Sequence, residues 1–495
     1  MVLSILNTVY DSWLWIWHNL FFINIILSII IVFFQRRNPT SVWAWLMVLY
    51  FLPIVGFVLY LVICQDFHKS KMFRVKEIED SLTEPIQYQS QKIHQLIEKE
   101  PSDRVEKDSF LNLTLYNLNS TGAVFTNNND IRIFTDGRDK FGDLINEMKK
   151  ATKYIHFEYY IIRNDELFAE ISKVLKQKVK EGVEVRVLYD AMGCRMMPSH
   201  VMKELQEAGI EVAVFFPALL KWFHLRVNYR NHRKIVVIDG RVGYVGGFNV
   251  GKEYLSKNEY FGHWRDTHLK LWGPSVIGLQ IRFALDWNFA AKKNLFTDKK
   301  YLEHVVDAEH TGAHKGIQII ASGPDSSTPS IRDTYLQLIL AARDHIYIQT
   351  PYFIPDDAIL SALKIAANSG VDVRLMIPCK PDHPFVYWAT YSYAGELIQA
   401  GGRCYTYEDG FLHAKGICCD SLVCCYGTAN MDIRSFNLNF EVNAIIYDEN
   451  TTMEMEEIFK NDLEHCKEIK EESYNSRSLF IRIREQISRL LSPVL

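Results

Sequence analysis

His232-Arg233-Lys234, followed after four residues by Asp239, recurs as His413-Ala414-Lys415, followed after four residues by Asp420. Each copy leads to a small-residue turn ending in asparagine: Gly246-Gly247-Phe248-Asn249 in the first, Gly427-Thr428-Ala429-Asn430 in the second. A lone HxK is no more than a chance polar pair on a strand. Two extended copies with matched turns are a strong signal. Residues two apart on an extended strand share a face, so His232 and Lys234 point with Val236 and Ile238 while Asp239 points away. The second copy aligns His413 with Lys415 and opposes Asp420 to them. The histidines and lysines are therefore expected to meet a substrate, and the aspartates to hold turn and strand.

The rest of the chain also says similar things twice. From about residue 125, apolar strands alternate with amphipathic helices, as an α/β fold requires. Val183–Leu188 is echoed by Val371–Met376, Glu204–Gly209 by Glu396–Gly401, and Tyr160-Ile161-Ile162 by Tyr352-Phe353-Ile354. The echoes lie 188, 192 and 192 residues apart and the HxK copies 181 apart, as loop insertions in a duplicated unit would leave them. Two related lobes are predicted, 125–295 and 312–475, joined by a charged linker at 296–311 and followed by a tail at 476–495. A repeat this long pairs once rather than stacking as a solenoid. Pairing about a pseudo-two-fold axis would bring one HxK from each lobe into a common site.

Two apolar stretches precede the lobes, Trp13–Phe34 and Val42–Cys64, each of membrane-spanning length and free of charge. With the loop Gln35–Ser41 between them they predict a transmembrane hairpin within residues 1–68, and 69–124 a connector. A second span and the lack of a basic leader argue against a signal peptide. Tryptophans near the start of both stretches suit the headgroup region. Arg36 and Arg37 lie in the loop, whereas Lys69, Lys71, Arg74 and Lys76 follow the second stretch. That count predicts a multi-pass protein of the cell membrane with a cytoplasmic main body. The 55 basic and 59 acidic residues leave a net charge of −4, which argues against a dedicated nucleic-acid binder. The nine cysteines have no framework spacing, and Cys418-Cys419 and Cys424-Cys425 read as small core residues, not zinc ligands.

The paired motifs resemble the HKD motifs of the phospholipase D superfamily, whose members break phosphodiesters through a phosphohistidine. The resemblance makes His232, Lys234, Asp239, His413, Lys415 and Asp420 the catalytic sets. It assigns His232 as nucleophile and His413 as general acid and base. Lys234 and Lys415, assisted by Asn249 and Asn430, can offset charge at the non-bridging oxygens with neither metal nor cofactor. An attacking imidazole must be held in one tautomer from its other nitrogen. Glu441, 28 residues after His413, and Asp266, 34 after His232, both follow an asparagine turn and are expected to serve.

A narrower resemblance covers essentially the whole chain. Asn228–Lys234, Trp264-Arg265-Asp266-Thr267-His268, Pro351–Asp356, Asn430–Phe436 and Leu438-Asn439-Phe440-Glu441 look like the bacterial cardiolipin synthases, as does the ending Leu490–Leu495. Val494 departs from that family's usual Leu, and Gly247 stands where many superfamily members have Ser. The implied reaction moves a phosphatidyl group from one phosphatidylglycerol to another and releases glycerol. Phosphatidylglycerol and membrane lipids are then the expected partners, and nucleic acid is not. A hydrolytic phospholipase D, a phosphodiester-cleaving nuclease and an inactive membrane scaffold are the rival readings. The stretch Phe215–Phe223 and the basic tail Phe480–Leu491 are candidates for facing a membrane, the tail alternatively for capping a lobe.

Overall fold

The computed structural model describes residues 105–217, 229–302, 312–326 and 328–492, with parts of the N-terminal segment between 15 and 56 and at 87–91. The chain divides into two compact units, residues 1–67 with 218–228, and residues 68–217 with 229–495.

In the first unit, residues 19–29 are helical and a second helix runs Pro39–Phe51. Ile31 and Leu49 pack with Leu27, Val42 and Trp45. The Asn24 amide donates to the carbonyls of Leu49 (3.4 Å) and Pro53 (3.1 Å). The loop expected over 35–41 is already helical from Pro39, because proline's fixed φ and missing N–H suit a first helical turn. Among the described residues no helix is long and apolar enough to cross a membrane. The expected spans 13–34 and 42–64 extend beyond the described residues, as do most of 215–223 and of the connector.

The second unit is built on one mixed sheet. Thr126–Phe134 pairs antiparallel with Lys315–Ser322, and from this junction each side repeats one strand order. Outward from the first strand come His268–Trp272, Val242–Gly246, Ile235–Ile238, Tyr154–Tyr159, Glu184–Asp190 and Glu211–Phe215. Outward from the second come Asn439–Tyr447, Val423–Gly427, Gly416–Cys419, His345–Gln349, Asp372–Pro378 and Arg403–Tyr407, with Cys466–Glu468 added at the edge. In each half the HxK strand lies antiparallel to its neighbours, while the outer three strands run parallel. Parallel strands need crossover helices, and aspartates cap several of these: Asp165 on Glu166–Lys180, Asp356 on Asp357–Asn368.

Strand alternation sorts the core. Val236 and Ile238 join the apolar cluster on one face of the first half, Ile235 and Val237 the cluster that runs between halves. Cys418 and Cys424 lie in that shared cluster, and Cys419 and Cys425 face the other way into the second half's core. All four are free and buried, filling space as small apolar side chains.

Candidate active site

Two short parallel bridges stitch each HxK strand to the opposite half. Arg230-Asn231 pairs with Asn439-Phe440, and Phe411-Leu412 pairs with Trp264-Arg265. The next residues on the four strands are His232 opposite Glu441 and His413 opposite Asp266. The ladders continue through backbone bonds, His232 N–H to Phe440 O (3.0 Å) and His413 N–H to Arg265 O (2.7 Å). Register thus delivers each imidazole to a carboxylate from the other half. His232 Nδ1 lies 3.0 Å from both Glu441 oxygens, and His413 Nδ1 lies 2.6 Å from Asp266 Oδ2. A carboxylate can only accept, so each Nδ1 carries the proton and each Nε2 lone pair is left for substrate.

The two pairs are built differently. Glu441 also accepts from the Thr428 hydroxyl (2.6 Å) and the Asn439 amide (3.2 Å). Among the described residues no hydroxyl donates to Asp266, and Gly247 stands where Thr428 stands in the other half. A Cβ on Gly247 would lie 1.9 Å from Asp266 Oδ1, so the shorter acid requires the bare backbone. Its Oδ1 accepts instead from Thr267 N–H at 2.8 Å.

Lys234 and Lys415 are buried, and each Nζ donates to the carbonyl of its own motif's histidine, at 2.6 Å for Lys234. Burial pushes Lys234 down to about 7, with help from the charge of Lys415, while Glu441 resists. Burial likewise pushes Lys415 down to about 8 against the pull of Asp266 and Glu441. Burial lowers His232, and burial with the Lys415 charge lowers His413 to about 4. Burial alone would raise the two acids. The charges of His232 and Lys234 hold Glu441 below the ordinary range, and those of Lys415 and His413 do the same for Asp266. Each lysine therefore acts on the other half's groups: the two HxK pairs share one electrostatic site.

Asp239 and Asp420 lie at the far ends of their strands, both in the left-handed region with φ of 56° and 53°. Asp239 accepts from the backbone N–H groups of Thr152 (2.7 Å), Lys153 (2.8 Å) and Tyr154 (2.8 Å). Asp420 does the same for Arg343, Asp344 and His345, at 2.7, 2.9 and 2.8 Å. Each aspartate thereby starts the neighbouring strand. Asn249 is engaged by protein at both ends, accepting from Ile161 N–H (3.1 Å) and donating to Tyr254 Oη (3.0 Å). Asn430 is buried, and its Oδ1 has no hydrogen-bond partner among the described residues.

Sequence reasoning missed a second matched device. Arg233, the middle residue of the first motif, forms a buried ion pair with Asp286 (2.5 and 2.6 Å) and donates to Glu441 O at 3.1 Å. Arg265 forms its own with Asp462 (2.9 Å to each oxygen) and donates to Asp266 O at 2.5 Å. Both guanidinium groups come from the first half, and each fixes the backbone that carries one acid, Glu441 of the second half and Asp266 of the first. The only visible signal was Arg265 beside Asp266. Among the described residues no group of His, Cys, Asp or Glu is arranged to hold a metal ion.

A family model described as cardiolipin synthase, PLD-like domain, matches residues 144–266 and 335–463. A second, described as phospholipase D-nuclease N-terminal, matches residues 22–63. The chain is 48% identical over 484 residues to the major cardiolipin synthase ClsA of Bacillus subtilis (strain 168), covering 96% of this chain and 98% of that one. It is 46% identical over 477 residues to a cardiolipin synthase of Oceanobacillus iheyensis, with coverage of 96% and 98%. A cardiolipin synthase of Staphylococcus aureus (strain N315) is 45% identical over 478 residues, with coverage of 96% and 95%. Among solved structures, phosphatidylserine synthase of Haemophilus influenzae Rd KW20 shares the fold at a TM-score of 0.59 and 15% identity, covering 79% of this chain and all of that one. Matched in both halves and along almost its whole length, the chain belongs to the cardiolipin synthase family of the phospholipase D superfamily.

Proposed function

We propose that this enzyme joins two phosphatidylglycerols into cardiolipin and releases glycerol, with His232 as the covalent carrier. The observation that carries the reading is the crossed pairing of His232 with Glu441 and His413 with Asp266. His232 Nε2 attacks phosphorus and the P–O bond to glycerol breaks, while His413 gives its proton to the departing oxygen. His413 then takes the proton of the second lipid's hydroxyl as that oxygen attacks phosphorus, and the P–Nε2 bond breaks to release His232. One phosphodiester replaces another, so no activated nucleotide is consumed. Glu441, held by two further donors, suits a nucleophile that must stay aimed. The short bond to Asp266 suits a ring that is alternately charged and neutral. His413 is depressed in the free enzyme by burial and Lys415. An arriving phosphodiester anion offsets that charge and loads the proton. Lys234 and Lys415 stabilise the phosphorane's oxygens. Asn430 acts beside Asp432, to which its side chain is hydrogen-bonded, whereas Asn249 acts through the loop it ties. Asp239 and Asp420 act through the strand starts they organise.

In this proposal the chain forms two lobes, 125–295 and 312–475, related by an approximate two-fold axis, with a linker at 296–311 and a tail at 476–495. The two N-terminal apolar stretches are read as a membrane hairpin with the body on the cytoplasmic side. Purified protein added to phosphatidylglycerol vesicles, without CDP-diacylglycerol or added metal, tests the whole. Cardiolipin with stoichiometric glycerol is expected by mass spectrometry. Phosphatidic acid alone would make the chain a hydrolase, and unchanged lipid would leave it a scaffold.

A further inference from the structure

The helix Leu479–Leu490 is folded inside out. Its polar residues Glu485 and Ser488 are each only 1% exposed, whereas Leu479 is 73% and Leu490 81% exposed. Glu485 is clamped by Arg477 through two bonds of 2.8 Å, Arg489 pairs with Glu396, and Ser492 meets the Tyr393 hydroxyl at 3.4 Å. These contacts seat the helix on Pro384–Gln399 by its polar side. The stripe Leu479, Phe480, Ile483, Ile487, Leu490 and Leu491 faces outward. At 3.6 residues per turn it spans an arc of roughly 120°. Arg484 lies just beyond one edge of that arc and Arg482 beyond the other. Neither has a carboxylate partner among the described residues, and Arg484 leans over Phe480 with 4.2 Å to the ring centroid.

A helix that only capped the lobe would bury this stripe and expose its carboxylate. Arg482 donates to Asn475 O, which leaves its charge unpaired. An apolar strip bordered by guanidinium groups that no described carboxylate neutralises instead matches the interface of a bilayer, acyl chains in the middle and anionic headgroups at the rim. A run of contacts leads from the strip to the segment 381–388, which borders the site and is read as its mouth. Arg484 reaches Trp388, 5.8 Å from its ring centroid, on the helix that begins with Pro384 and the exposed Phe385. Just before it, Asp382 is hydrogen-bonded to Tyr352, and the exposed Tyr260 donates to Pro381 O at 3.1 Å. The Asp382 carboxylate is among the charges that act on Lys415.

We propose that the outward stripe of Leu479–Leu490, with its arginine borders, seats on an anionic lipid bilayer and turns the mouth of the site toward the headgroups. This goes beyond the transfer chemistry and does not depend on it, so the test reads contact rather than turnover. Phe480→Cys in the full chain is coupled to an environment-sensitive dye, with the unsubstituted chain labelled in parallel as background. The protein is reconstituted into phosphatidylcholine vesicles with and without phosphatidylglycerol, doped with lipids carrying nitroxide on the acyl chain. Quenching should be several-fold stronger with phosphatidylglycerol. Replacing Arg482 or Arg484 by Gln should lower the docked fraction about fivefold each. Adding Ile483→Ser and Ile487→Ser should abolish quenching and leave the melting temperature unchanged, since both side chains already face solvent. Equal quenching in neutral and anionic vesicles would overturn the arginine role. A dye shielded before lipid is added, or increasingly so with protein concentration, would show that protein covers the stripe and would overturn the proposal.

Discussion

His232 and His413 each present one nitrogen to an acid, and on the proposed mechanism deleting either ring removes a different half of the reaction. His232→Ala and His413→Ala should each lower cardiolipin formation by about 10³-fold, within the range general acid–base and nucleophilic groups contribute. Vesicle turnover by mass spectrometry checks this, and melting curves confirm folding. The acids can be probed more finely. Thr428→Val removes the 2.6 Å hydroxyl bond to the buried Glu441 and should cost about 1.5–3 kcal/mol, the worth of a bond to a charged group. Thr428→Ser should restore it. Gly247→Ser should do the opposite of what the superfamily's frequent Ser suggests. Its Cβ would overlap Asp266, shift the carboxylate from His413 and lower turnover at least tenfold, with little change in stability. Full activity in Gly247→Ser would show that the local backbone yields.

Asp239 and Asp420 belong to the scale of strands. Asp239→Asn replaces a carboxylate that accepts from three backbone N–H groups by an amide with one acceptor oxygen. It should lower stability by about 1–3 kcal/mol by chemical denaturation and leave activity per folded molecule nearly intact. A well-folded Asp239→Asn variant as dead as the histidine variants would sink that assignment. This much was legible from the sequence, because period-two alternation separates Asp239 from His232 whatever the fold around them. The partners of the histidines were not. Glu441 follows His413 and Asp266 follows His232 along the chain, yet each serves the other motif's ring. The crossing is made by bridges of two residues, too short for any periodicity to mark. Arg233 escaped for a related reason: the middle of an HxK points away from the site, and its partner Asp286 lies in an apolar helix far along the chain. The amphipathic tail was visible as a helix, but which side it would bury was decided by Glu396, Arg477 and Tyr393, which no local pattern names.

At the scale of the whole molecule, two lobes each contribute a buried lysine to one site, and no single lobe explains their state. Lys234 is brought to about 7 by burial and by Lys415, and Lys415 to about 8 mainly by burial. Near pH 8 the free enzyme therefore holds part of this pair uncharged. A bound phosphate-like anion favours the charged forms and raises both values, so binding must take up protons from solution. Titrating phosphate or vanadate into the protein at pH 8 in two buffers of different ionisation enthalpy should show net uptake. Toward pH 6, where both lysines are already charged, their share of the uptake should vanish and leave only the proton loaded onto His413. Affinity for the anion should fall as pH rises through 7 to 9, since charge must first be restored. Lys415→Met should abolish part of the uptake and, by removing the neighbouring charge, raise Lys234 and move the remaining transition to higher pH. Binding that releases protons, or that is indifferent to pH across this range, would mean that the two lysines do not meet the anion together.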